Sequence, residues 1–240
     1  MWVEILFNVT YLLVIWGLVI AMIRRRSSLL PEVRSYALLF GWAFGLLALG
    51  DTGHVGFRVW AYGRGGLDTT VHVAGVQMGL VGLGAWSTAI TVTLFNVLML
   101  WIWQRRFGKS LGWFGYLLLA AAVVRLAVMA FPQNQWNNSV PPWPWSMIRN
   151  VPLVIQGLGV AYLILRDARA AGDRTFELAG YMILVSYGFY IPVILFVQRL
   201  PMLGMLMIPK TLAYVAIAWL AYANLYVRSA PELALQRVRS

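Results

Sequence analysis

The chain has 240 residues, 61% hydrophobic and 11% charged, with a formal net charge of +11 and no cysteine. A soluble domain carries nearer a quarter charged residues, so the composition argues against a soluble globular fold. Without cysteine there is no disulfide framework, thiolate metal site or cysteine nucleophile. The basic surplus does not point to nucleic acid, because the charges fall in short loops between apolar blocks.

The first block, "MWVEILFNVTYLLVIWGLVIAMIRRR", carries Glu4 before its apolar stretch and Arg24, Arg25 and Arg26 after it. A cleavable signal has its positive charge first, so this block is expected to stay as a span with its N-terminus outside. Seven spans are predicted in all, at 3–23, 35–61, 75–103, 111–131, 147–166, 176–198 and 202–227. Each has about the 20 apolar residues that cross a bilayer as a helix. The loops after spans 1, 3 and 5, with the tail, hold Arg24, Arg25, Arg26, Arg34, Arg105, Arg106, Lys109, Arg166, Arg169, Arg174, Arg228, Arg237 and Arg239 of the 19 basic residues. The expected architecture is therefore one all-α domain over 1–240. It is a seven-transmembrane-helix bundle with the N-terminus outside and the C-terminus cytoplasmic.

The second span contains "GDTGHVGFRVW", which puts Asp51, His54 and Arg58 inside an apolar run. At about 1.5 Å per residue Asp51 lies roughly 15 Å below the outer end of its helix, and Arg58 about one turn below that end. The third span is rich in small residues, and Gly75, Gly79, Gly82 and Gly84 are expected to let neighbouring backbones approach. Its Ser87, Thr88, Thr91 and Thr93 say little, because hydroxyls often bond their own helix. The fourth span places Arg125 six residues from its outer end. The segment "FPQNQWNNSVPPWPWSMIRN", residues 131–150, reads as an outer loop with four prolines and three tryptophans. It is either an interfacial anchor or a lid over a pocket. Asn150 and Gln156 follow on the outer half of span 5, and Tyr187 and Tyr190 on that of span 6. The seventh span holds Lys210 in "GMLMIPKTLAY", with Tyr214 one turn deeper on the same face.

An ionisable side chain at membrane depth costs at least a few kcal/mol unless it is paired or hydrated, and is a functional candidate by default. Asp51 and Lys210 fall at nearly equal depth and are the natural ion-pair partners. In the outer half six basic residues, Arg58, Arg64, Arg125, Arg149, Arg199 and Lys210, oppose Glu4, Asp51 and Asp68. That surplus suits an anion. The leading expectation is a polar intramembrane cavity on the outer side that binds a small amphipathic or anionic ligand, such as a lipid headgroup, in a sensor, carrier or binding protein. Arg58, Arg125 and Lys210 would contact the anion, with Asp51 as counter-charge. Gln133, Asn134, Trp136, Asn150, Tyr187, Tyr190 and Tyr214 would complete the lining. A second reading is an intramembrane hydrolase or transferase acting on a lipid, with Asp51 and His54 as the acid–base pair. A third is a structural protein whose salt-bridged core fixes the helices. The spacings Asp51-x2-His54 and Asp68-x3-His72 each put two possible zinc ligands on one helical face, although 62–70 reads as loop. No metal site is assigned from them and no cofactor is read.

The motifs "GD-x-x-H-x-x-x-R", "FPQNxW", "RNVP", "FYIPV" and "GMLMIPKT" together resemble a group of bacterial seven-helix membrane proteins over nearly the whole chain. The resemblance implies a multi-pass protein of the bacterial cytoplasmic (inner) membrane, and brings neither substrate nor catalytic residue. Its motif residues include Pro132, Gln133, Arg149, Pro209 and Lys210 beside the polar set above. Two likenesses are narrower. A lysine in the seventh span and "YGFYIP" are similar to microbial rhodopsins, in which that lysine carries retinal; here Leu206, not an acid, stands four residues before Lys210. "GDTGH" is similar to part of the zinc motif of ceramidase and adiponectin-receptor hydrolases, whose last helix carries histidines that this one lacks.

Overall fold

The computed structural model describes residues 2–73, 75–138 and 142–227. Seven α-helices dominate it: α1 (Trp2–Arg24), α2 (Pro31–Gly63), α3 (Leu80–Phe107), α4 (Gly112–Met129), α5 (Trp143–Ala171), α6 (Arg174–Phe196) and α7 (Met207–Ala221). A 3₁₀ segment, Pro201–Leu206, leads into α7, and a π turn, Tyr222–Val227, continues it. With those extensions, seven segments are long and apolar enough to cross a membrane. Arg228, Arg237 and Arg239, which carry part of the orientation argument, lie outside the described residues.

The helix ends follow local chemistry. Pro31 opens α2 after an extended Leu30, where the missing N–H costs nothing and φ is already helical. Gly108 and Gly172 close α3 and α5 at φ 60° and 64°, in the left-handed conformation that favours glycine. Asp173 then starts α6 directly, its Oδ1 accepting from the Phe176 amide at 3.1 Å.

Two expectations need correction. The third span does not start at 75: an antiparallel hairpin precedes it, β1 (Thr70–Val73) and β2 (Val76–Gly79), paired Thr70 with Gly79 and Val73 with Val76. Gly75, at φ 81°, belongs to its turn and to no helix contact. Val71, His72 and Val73 favour a strand, and a hairpin with one apolar face is stable where it can lie on helices. Here Val71 and Met78 pack with Phe57, Ala61, Leu80 and Leu83. The fifth helix starts at Trp143, four residues before the expected 147, because Pro142 is extended and Pro144 fits the first turn.

The ends of the bundle differ in charge. One, the basic end, gathers Arg25, Arg106, Arg166, Arg169 and Arg174. The other, the hairpin end, carries β1–β2 and the 131–138 segment, which crosses the start of α3. Near the basic end Tyr36, Phe40, Phe107 and Phe176 stack edge to face at 5.5–6.0 Å. Phe44, Phe95 and Tyr214 continue this core toward mid-bundle at 5.3–5.4 Å.

Candidate functional site

α2 and α3 form the most extensive helix pair of the bundle, and glycine is the reason. A Cβ on Gly50 would overlap Thr91, and one on Gly53 would come to 2.7 Å from Ser87 Oγ. From the other side, a Cβ on Gly84 would meet the His54 backbone at 3.0 Å. The two glycines of "GDTGH" are therefore packing residues. Asp51, about 100° round the helix from Gly50, faces away from that seam. Its carboxylate accepts the Tyr11 hydroxyl of α1 at 2.6 Å. Thr52 is exposed, donating to the Ala48 carbonyl and accepting from Trp16 Nε1. His54 and Arg58 are half-buried further along α2 toward the hairpin end.

The expected Asp51–Lys210 ion pair is not formed: no such pair within 4.0 Å exists among the described residues. Tyr11 takes the carboxylate. The Lys210 ammonium instead lies over the Tyr190 ring at 4.7 Å and the Tyr214 ring at 5.8 Å. A desolvated cation is stabilised on an aromatic face by the ring quadrupole. Asp51 and Lys210 still act on one another electrostatically, and Lys210 also senses Arg125. Lys210 stands in the first turn of α7, because Pro201–Leu206 is wound as 3₁₀. The dipole there disfavours a cation.

Arg125, 2% exposed, makes no carboxylate contact among the described residues. Its Nε donates to the Arg149 carbonyl at 3.0 Å, and its Nη1 to the Ala89 carbonyl at 2.9 Å and to Thr93 Oγ1. It thus ties α4 to α3 and α5 through neutral oxygens. The Arg149 guanidinium lies over the Trp136 ring at 4.5 Å and leaves Nη1 buried without a hydrogen bond. Trp136 in turn donates to the Met129 carbonyl at 3.0 Å. Asn150 accepts from the Tyr190 hydroxyl at 3.1 Å, so the Arg149 level joins the tyrosines beside Lys210. Asn134 is fully buried: its amide donates to the Val128 and Phe131 carbonyls, and its Oδ1 is unpartnered. Asn134, Trp136 and Arg149 line a crevice of about 30 Å³ with Gly82. Gly82 is required there, since a Cβ would overlap the Trp136 carbonyl.

Deeper in, Asn96 donates to the Tyr187 hydroxyl at 3.0 Å, and that hydroxyl donates to the Leu153 carbonyl at 3.2 Å. Tyr187 is core rather than cavity wall. Gln156 is 1% exposed, and neither its Oε1 nor its Nε2 has a hydrogen bond. Thr88, Thr91 and Thr93 each donate to their own helix, as sequence suggested.

The structure thus gathers Asp51, Arg125, Trp136, Asn150, Tyr187, Tyr190, Lys210 and Tyr214 around one interior. Gln133 is exposed on the 131–138 segment, away from it. Tyr11 and Asn96 join the set without having been placed in it by sequence, and Arg149 joins it from the outer cations counted above. Tyr11 gave no signal, as one tyrosine among many in an apolar helix. Asn96, polar at the middle of α3, was visible. Among the described residues no three His, Asp or Glu side chains gather where they could hold a metal. Asp68 and His72 are both exposed at the hairpin end. The fold and site together define a seven-helix bundle of membrane-spanning length with a cationic interior at one end. In comparisons with known proteins, no family model, curated protein or solved structure matches the chain.

Proposed function

We infer that this is a multi-pass membrane protein that binds a small amphipathic anion at its hairpin end, as a sensor, carrier or binding protein. The observation that carries the reading is the charge balance of the interior. Arg125 stands between Lys210 and Arg149 there, and Asp51 is a carboxylate that acts on Lys210. Cations held in low dielectric with too few anions are costly unless a ligand or water completes the balance. The unpartnered Arg149 Nη1 points to where an acidic headgroup would bond. The crevice beside it has room for no more than one or two water-sized groups, so entry of a headgroup requires the 131–138 segment to lift. The basic surplus at the other end supports an outside N-terminus and a cytoplasmic C-terminus. The motif resemblance supports the inner membrane of a bacterium.

The test uses purified full-length protein in a non-ionic detergent, titrated with a long-chain alkyl phosphate and followed by native mass spectrometry. Wild type should retain the alkyl phosphate. Lys210→Met and Arg149→Met, still folded by circular dichroism, should each weaken it roughly tenfold or more, as the loss of a charge-assisted hydrogen bond predicts. Equal retention by all three proteins would defeat the reading.

A further inference from the structure

The charged groups above leave a second region unused. On the flank of the basic end, side chains of α5 and α6 line a groove of about 380 Å³. This lies within the size range of small-molecule sites, roughly 300–1,000 Å³. Its walls are Leu158, Leu165, Leu184 and the Tyr162 ring, and its mouth is set by Arg166 and Arg169. Leu158, Tyr162, Leu165 and Arg169 recur at the three- or four-residue steps that align side chains along one helical stripe. From Leu158 to Arg169 the groove runs roughly 16 Å along α5. The opposing helix is held close by Gly180, where a Cβ would come to 2.7 Å from Leu165 Cγ, and by Gly157, where a Cβ would overlap the Tyr187 ring. The groove lies along the outer face of that seam, where Leu158, Tyr162 and Leu184 are 36%, 56% and 38% exposed.

The two arginines are fixed but not consumed. Arg166 spends Nε and Nη2 on Asp167, at 3.0 and 2.8 Å, and lies over the Tyr162 ring at 5.9 Å. Arg169 donates Nη2 to the Tyr181 hydroxyl and holds Nε 3.7 Å from Glu177. A guanidinium has five N–H groups, so each arginine keeps donors for a further acceptor. Their side chains are 48% and 58% exposed. A long apolar groove that ends in two arginines matches an acyl chain joined to an anionic headgroup. Charge complementarity therefore names the occupant. Basic pockets between spanning helices on the cytoplasmic side are a general mode of anionic lipid binding.

We propose that the α5–α6 groove is a binding site for an anionic phospholipid, with one acyl chain along Leu158, Leu165 and Leu184 and the phosphodiester held by Arg166 and Arg169. The site rests on the membrane reading of the seven helices but not on the ligand proposed for the hairpin end. A neutral lipid would fill the groove without the headgroup contacts, and inorganic phosphate would meet the arginines without the groove.

The experiment reconstitutes the full chain in nanodiscs of phosphatidylcholine with one-tenth phosphatidylglycerol, then counts co-released lipid by native mass spectrometry. Wild type should be enriched in phosphatidylglycerol. The double variant Arg166→Gln, Arg169→Gln should lose that preference by roughly twenty-fivefold, about a factor of five per arginine. Leu184→Trp, which fills the groove and leaves the arginines in place, should weaken it as well. Inorganic phosphate should not compete. No enrichment in wild type, or enrichment that survives both variants, overturns the site. Sensitivity to the arginines alone, or to phosphate, shows headgroup attraction without a groove and overturns it too. Loss in Lys210→Met but not in the arginine variant would move the lipid to the hairpin end. A chain that stays out of the nanodisc refutes the membrane reading itself.

Discussion

The two halves of the bundle treat charge in opposite ways. Near the basic end, carboxylates stand beside the arginines: Arg106 with Asp173 at 2.7 Å, Arg166 with Asp167 at 2.8 Å, and Arg169 and Arg174 with Glu177 at 3.7 and 3.4 Å. Those arginine side chains are 37–76% exposed, so water shares in their solvation and each pair adds little stability. Beneath them the aromatic core is closed. In the hairpin half the cations lie on tyrosine and tryptophan faces and on carbonyl oxygens, with Asp51 as the interior carboxylate. Gln156, Asn96, Asn134 and Arg149 also keep buried polar atoms without partners there. Buried polar groups are normally satisfied, so a half-built network concentrated in one region points to something that completes it. Under the function proposed above, the contrast separates charge that orients the protein from charge that binds.

The largest expected effect is at Asp51. Asp51→Asn should cost about 3 kcal/mol or more, because it removes the carboxylate from a desolvated cationic cluster. Adding Lys210→Met should recover part of the loss, since neighbouring charges couple by about 0.5–3 kcal/mol. Thermal unfolding in micelles reads both. A cost below about 1 kcal/mol would mean that these groups are hydrated like those of the basic end, erasing the difference.

Next comes Gly82→Ala. Its methyl would meet a backbone carbonyl, which cannot rotate aside, so overpacking should cost about 1–3 kcal/mol. The same substitution at Gly188, where nothing stands within 4 Å, should be neutral or stabilising, because alanine favours a helix. Equal effects at the two sites would show that the 131–138 segment does not sit on α3. The smallest effect belongs to the basic end. Asp173→Ala removes the α6 cap and the Arg106 pair, and should lower stability by about 1–2 kcal/mol, less than the change at Asp51.

Much of the frame was legible in the sequence. Apolar block length marked the seven spans, and most of their ends fell within a few residues of the helices. Helical spacing put Lys210 and Tyr214 on one face of the seventh span, because residues on one helix keep a fixed spacing, and the ammonium does lie over that ring. What failed was pairing across helices. Asp51 met Tyr11 instead of Lys210, since rotation of α2 is set by the glycine seam against α3. Residues 75–79 looked helical by composition, yet β1 gave their backbone a better partner.

By itself the sequence determined what depends on neighbours along the chain: a predominantly helical protein of seven apolar helices and the concentration of arginine in alternate loops. The tertiary structure decided what depends on how those helices are turned about their axes. It set which carboxylate faces which cation, which glycines admit a neighbour's backbone, and that one half is closed by aromatic rings while the other stays polar. Helix formation follows from local hydrogen bonds and side-chain spacing. The rotation of one helix against another is fixed by packing between residues up to 189 positions apart, as where the Tyr226 hydroxyl donates to the Ala37 carbonyl.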